Sequence, residues 1–193
     1  MHYEAKTFNI PELKKISRET IEEHLGLYNG YVKHVNLIQD KINAYSTDPS
    51  NNSYAISEMQ RRLGFEFGGM RNHEYYFEQF EGEAKTLPES KLHELINSQW
   101  GSYETWLQRF TDIATTRGVG WAMLYYDSKT EQLVQTWVDE QHLGQLPDIH
   151  IVLALDMWEH SYMLDYPPSK KKEYIDAFFT NVNWEIVSAR VTS

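Results

Sequence analysis

Ile149-His150-Ile151-Val152-Leu153-Ala154-Leu155-Asp156-Met157-Trp158-Glu159-His160-Ser161-Tyr162 decides how the rest of the chain is read. Seven largely apolar residues, Ile149 to Leu155, have the length and composition of a buried strand. They run straight into a carboxylate, and then into Trp158, Glu159 and His160. A carboxylate at the end of an apolar strand is costly to bury alone, so Asp156 calls for a cation, a hydrogen-bond donor or a metal.

Two further strand-like stretches lie upstream. They are Gly120-Trp121-Ala122-Met123-Leu124-Tyr125-Tyr126 and Leu133-Val134-Gln135-Thr136-Trp137-Val138, separated by the turn Asp127-Ser128-Lys129-Thr130. Together with Ile149–Leu155 they make one small sheet. Helical pieces are expected near 89–98 and 102–116, divided by Gly101-Ser102, and again from Lys172 to Arg190. The first half has a different period. From Thr20, where Thr20-Ile21-Glu22-Glu23 has capping-box spacing, Leu25, Tyr28, Val32, Val35, Ile38 and Ile42 recur at three- and four-residue steps. A polar loop over 46–52 leads to a second helix from about Tyr54 to Phe80, which contains a flexible Gly68-Gly69 pair. The charged connector Glu81-Gly82-Glu83 through Pro88-Glu89 is the best boundary. The expected domains are a helical hairpin over 1–86 and an α/β unit over 87–193.

Composition narrows the function classes. The chain has 193 residues, 41% of them apolar and 14% aromatic, too rich in rings for a disordered protein. Its formal charge of −10 argues against a nucleic-acid partner, which needs a basic footprint. The absence of Cys excludes a disulfide scaffold, thiolate zinc and iron–sulfur chemistry. No apolar run is long enough for a membrane span, and the amino terminus does not read as a secretory signal. A cytoplasmic globular protein is expected.

Eight His are available. His24 falls on the inner stripe of the first helix, and at 100° per residue Tyr28 and Tyr31 lie within about 40° of it. His73 shares its helical face with Phe77 and Phe80. Three imidazoles and one carboxylate would suit iron or manganese. Zinc fits less well, because thiolate and HExxH-type spacings are missing. Each residue alone has a plainer reading: a core histidine, a helix cap or arginine partner for Asp156, and a surface pair for Glu159-His160. Spacing does not bring them together.

Asp156-Met157-Trp158-Glu159-His160-Ser161-Tyr162 closely resembles the D-x-W-E-H-A-Y signature of the iron/manganese superoxide dismutases. Other stretches follow in the family's order. Asn72-His73-Glu74-Tyr75-Tyr76-Phe77 is similar to its N-H-x-x-F-W helix, and Trp100-Gly101-Ser102-Tyr103 to its F-G-S turn. Arg117-Gly118-Val119-Gly120-Trp121-Ala122 is similar to its G-S-G-W-x-W strand, and Val182-Asn183-Trp184 to its V-N-W. The likeness covers about residues 20–190. It implies an α+β fold, with an N-terminal helical hairpin packed on a C-terminal α/β domain that holds a three-stranded antiparallel sheet. It implies one iron or manganese ion per subunit on His24, His73, Asp156 and His160, with superoxide as substrate. It also implies a homodimer or higher oligomer, in which Glu159 bonds the partner subunit's copy of His160, and it places Trp121, Trp158 and Tyr162 around the metal or at the interface. The alternative is a non-catalytic homologue that keeps the fold as a metal-binding or structural protein.

The chain departs from the family at three places. His24-Leu25-Gly26-Leu27-Tyr28-Asn29-Gly30-Tyr31-Val32 is one residue shorter than the family's first helix between the ligand and Tyr-Val, and Tyr28 stands where a second His is usual. Tyr31 then takes the family's gateway position, with Tyr28 as competitor. Met163 replaces the second Tyr of the family's pair, so both ends of its cross-subunit relay, Tyr28 and Met163, are changed. Gly69 stands where many iron enzymes place a Gln. The outer-sphere group is therefore expected from Gln141, or from His142 one residue on. Lys171 is close to the position of the family's funnel Arg, although Lys170-Lys171-Lys172 reads slightly better as a solvated run.

Overall fold

Ser17 starts the first long helix. Its hydroxyl accepts from the Thr20 amide at 3.1 Å, and α1 runs Arg18–Tyr45. The expected start at Thr20 is thus too late. Thr20 lies inside the first turn, and its hydroxyl donates to Asp165 at 2.7 Å. The helix α2 spans Pro49–Glu78, so the expected loop over 46–52 shortens to 46–48. Proline at the first helical position explains the earlier start, because its fixed φ suits the helix and its missing N–H is not needed there. The computed structural model describes residues 2–191.

The Gly68-Gly69 pair does not interrupt α2. It allows close approach instead. A Cβ on Gly69 would lie 2.5–2.9 Å from the Tyr31 ring. One on Gly68 would run into the carbonyl oxygen of Gln141 and come within 3.1 Å of the carbonyl carbon.

Beyond the connector, α3 (Lys91–Trp100) and α4 (Tyr103–Ala114) are split at Gly101, whose φ of 87° favours glycine. The sheet comprises β1 (Gly120–Asp127), β2 (Gln132–Asp139) and β3 (His150–Asp156), antiparallel in the order β2-β1-β3. Its central strand is the most buried, and its register sets Trp121 opposite both Val138 and Asp156. The C-terminal helix expected over 172–190 is two helices, α5 (Lys171–Asn181) and α6 (Trp184–Ala189). The chain leaves the helix at Val182 because that backbone bonds elsewhere: the Lys85 amide donates to Val182 O and the Asn183 amide to Gln79 O. The Asn183 side chain then caps α6.

The helix α1 packs along α2, and α2 packs on β3. Tyr76, Phe77, Phe80, Trp121, Tyr174 and Phe178 are buried at that junction. Each such side chain contributes about 1.5–3 kcal/mol of burial free energy. This apolar block holds His24, His73 and Asp156 in place. Among the described residues, no helix is long and apolar enough to cross a membrane.

Candidate metal centre

One residue from each of α1, α2 and the end of β3, plus His160 just beyond, meet inside that block. His24, His73, Asp156 and His160 each offer a ligand atom, and the four atoms lie within 4.8 Å of one another. His24, His73 and Asp156 are fully buried, while the His160 side chain keeps 21% of its exposure. Asp156 Oδ2 faces Nε2 of His24 at 3.1 Å, His160 at 3.2 Å and His73 at 3.6 Å. Its other oxygen accepts from the Trp158 amide at 2.8 Å. Its main-chain carbonyl accepts from Tyr174 at 2.9 Å and from the Ser161 hydroxyl at 3.0 Å.

The tautomers explain why this cluster needs a cation. His73 Nδ1 lies 2.6 Å from Gly69 O and donates to it, so in the neutral ring Nε2 carries only a lone pair. That lone pair has no hydrogen-bond partner and faces a carboxylate oxygen. Two donor atoms each about 2.1 Å from one ion stand about 3.0 Å apart at a right angle and about 3.6 Å apart at 120°. The three separations from Asp156 Oδ2 match that range, and the donor set of three imidazoles and a carboxylate fits a first-row metal ion. Burial, then the neighbouring imidazole of His24, pushes His73 down to about 3, and burial also lowers His24. Burial alone would raise Asp156. The charge of His160 and hydrogen bonds from His160 and His24 outweigh it and hold the carboxyl below its usual range.

Around the cluster the polar groups are fixed in sequence. Trp121 Nε1 donates to Gln141 Oε1 at 2.9 Å, and Gln141 Nε2 donates to the Tyr31 hydroxyl at 2.9 Å. Asn72 Nδ2 donates to Gln141 O at 3.0 Å, which ties the Gln141 loop to α2 one residue before His73. The Tyr31 ring lies 5.0 Å from the His73 ring. Burial, then the Asp156 charge, pushes its phenol well above the usual range, so it stays protonated at neutral pH. His142 instead turns toward Gly64 and Phe65, with its buried Nδ1 unpartnered. Trp158 stacks on His160 at 5.7 Å and donates to Glu140 O. Tyr162 is buried against Tyr174, with no partner for its hydroxyl.

Tyr28 turns into the interior of the chain. Its hydroxyl accepts from the Lys6 amide at 2.9 Å and donates to Glu74 at 3.2 Å, and its ring meets Phe8 and Phe77. Leu27, one residue earlier, stands beside Met163 of the same chain, in a hollow of about 450 Å³ lined also by Glu19, Glu23, Glu159, His160 and Leu164. The reason is helical phase, since one residue of displacement turns a side chain by 100°. Leu27, Asn72, Phe65 and the two glycines are features that sequence reasoning missed or misread. Only Asn72, directly before His73, carried a local signal.

Residues 88–190 match the family described as iron/manganese superoxide dismutases, C-terminal domain. The chain is 32% identical over 181 residues to an iron superoxide dismutase of Saccharolobus solfataricus, covering 91% of this chain and 85% of that one. It is 30% identical over 199 residues to an iron superoxide dismutase of Methanothermobacter thermautotrophicus, covering 97% and 96%. A manganese superoxide dismutase of Haloferax volcanii is 41% identical over 118 residues, covering 61% and 58%.

Proposed function

The chain belongs to the iron/manganese superoxide dismutases, and from that premise we propose how its own residues divide the work. The reaction converts two superoxide anions and two protons to dioxygen and hydrogen peroxide, with one iron or manganese ion per subunit. When bound, that ion supplies the electron exchange, alternating between its +3 and +2 states.

Nε2 of His24, His73 and His160 and Oδ2 of Asp156 hold the ion; the observation that carries this is the convergence of three imidazoles on one carboxylate oxygen. Gly69 O fixes the His73 tautomer, and the Trp158 amide fixes the carboxylate, so each donor arrives already oriented. Tyr31 and Gln141 are the polar pair that meets the substrate. The phenol keeps its proton and accepts from the amide, which leaves its O–H free to donate toward an incoming oxygen anion. Trp121 holds the amide, while Phe65, Trp158 and the Tyr31 ring keep bulk water from the centre.

The surface carrying Leu27, Met163 and Leu164 beside Glu159 and His160 is where a second copy pairs. Exposed apolar side chains around a ligand residue support that reading. On this reading the hairpin over 1–86 and the α/β unit over 87–193 meet at the metal, and the enzyme works in the cytoplasm. No observation favours the non-catalytic alternative. His160→Ala tests the site: bound metal and dismutation should be lost together. Full activity with normal metal content in that variant would overturn the assignment.

A further inference from the structure

Superoxide is an anion, and this chain carries a formal charge of −10. Attraction must therefore come from a local cation on the path to the site. Two sides of His160 differ sharply. The hollow beside Leu27 is lined by Glu19, Glu23 and Glu159, and among the described residues no Lys or Arg lines it. On the other side Trp158 stacks on His160, and Phe65 meets Trp158, Tyr31 and His142 at 5.8–6.4 Å. The Arg62 guanidinium lies 3.7 Å over the Phe65 ring.

Taking the metal assignment above as its basis, we propose that Arg62 steers superoxide to the site along the Phe65 side. Arg62 is two ring contacts from His160 by way of Phe65 and Trp158, and two from His73 by way of Phe65 and Tyr31. Its Nε donates to Glu66 at 2.8 Å, and His34 Nδ1 stands 3.8 Å from the same carboxylate. That ion pair is not neutral to an approaching anion. The Glu66 side chain is 6% exposed and the Arg62 side chain 50%, so the cation is the outer end and meets the anion first. Stacking on Phe65 holds the planar guanidinium there at small entropic cost. Lys171 lies 5.7 Å from the Tyr162 ring, against the layer that backs Asp156.

The test compares the metal-loaded enzyme with Arg62→Gln, Arg62→Lys, Glu66→Gln and Lys171→Gln, by superoxide decay across a range of ionic strength. One charge near the path changes the second-order rate constant about two- to threefold where the Debye length is about 30 Å, and the change is largely screened in 1 M salt. Arg62→Gln should be slower at low salt and converge with the parent at high salt. Arg62→Lys should keep the parent's salt slope, Glu66→Gln should be faster at low salt, and Lys171→Gln should change less than Arg62→Gln. Azide affinity, read from the metal's absorbance, should weaken in Arg62→Gln in the same proportion.

Equal rates for Arg62→Gln and the parent at low salt would overturn the proposal. So would an equal loss in Arg62→Gln and Arg62→Lys at every salt concentration, or a larger effect in Lys171→Gln. Metal content and high-salt activity report on the metal assignment separately. A parent chain without either would refute that assignment and this inference together, whereas a loaded, active parent with a flat response at Arg62 would refute the steering alone.

Discussion

Gly68→Ala pits helix propensity against contact. In an exposed helix interior, Gly to Ala stabilises by about 1 kcal/mol. Gly68 lies well inside α2, but its added methyl would overlap the Gln141 carbonyl oxygen and press the His142 Cβ at 3.3 Å. The neighbour is backbone, and it cannot swing aside as a side chain can. The loop is also held by the Asn72 bond to Gln141 O, the Trp121 bond to Gln141 Oε1 and the Glu140 amide bond to Val119 O. Overpacking of this kind costs about 1–3 kcal/mol, and a displaced loop forfeits about 1 kcal/mol for each hydrogen bond it loses. Contact therefore wins, and the variant should be less stable by about 1–2 kcal/mol. For a chain of this length that lowers Tm by about 2–8 °C. Gly26→Ala, in α1 with nothing within 4 Å of the new methyl, should instead be stabilised by about 0.5–1 kcal/mol. Calorimetry at matched metal content, with activity on the same samples, checks both. Gly68→Ala that is stabilised like Gly26→Ala and fully active would refute the close-approach reasoning.

Three other outcomes are expected. Trp121→Phe deletes the donor to Gln141, and should cost about 1–3 kcal/mol and lower activity while metal content is unchanged, as elemental analysis with a dismutation assay would reveal. The metal-free protein should lose stability on acidification. His24 and His73 are lowered below the usual 6.5, so the unfolded chain takes up protons that the folded chain refuses; Tm should fall from about pH 6.5 downward, and a flat or rising Tm would contradict this. Leu27→Asp should shift the chain toward monomer in light scattering, whereas Tyr28→Phe should leave association unchanged.

What was legible in the sequence was local. Asp156 through His160 announced a strand that ends in a polar site, because burial cost and composition both act over a few residues. The two helices of the hairpin were readable from their apolar spacing, as were the three strands from theirs. Long-range contacts were not. The meaning of Gly68-Gly69 lies in the Gln141 loop and the Tyr31 ring, both distant in the chain, so the pair read as flexibility when it serves contact. The break at Val182 depends on the 79–85 segment, which no helical period reveals. Tyr28 and Leu27 differ by one step of helical phase, finer than an argument from a shortened segment resolves. Gln141 was the first choice over His142 one residue on, and the bonds from Trp121 and Asn72 that hold it come from distant parts of the chain.

The most direct measurement is the metal content of the untagged chain by elemental mass spectrometry, with dismutation assayed on the same sample. The account predicts about one iron or manganese ion per chain, with activity that rises in proportion to occupancy. A chain that remains empty after refolding with either ion, or that fills with each ion in turn and never dismutates superoxide, would contradict it.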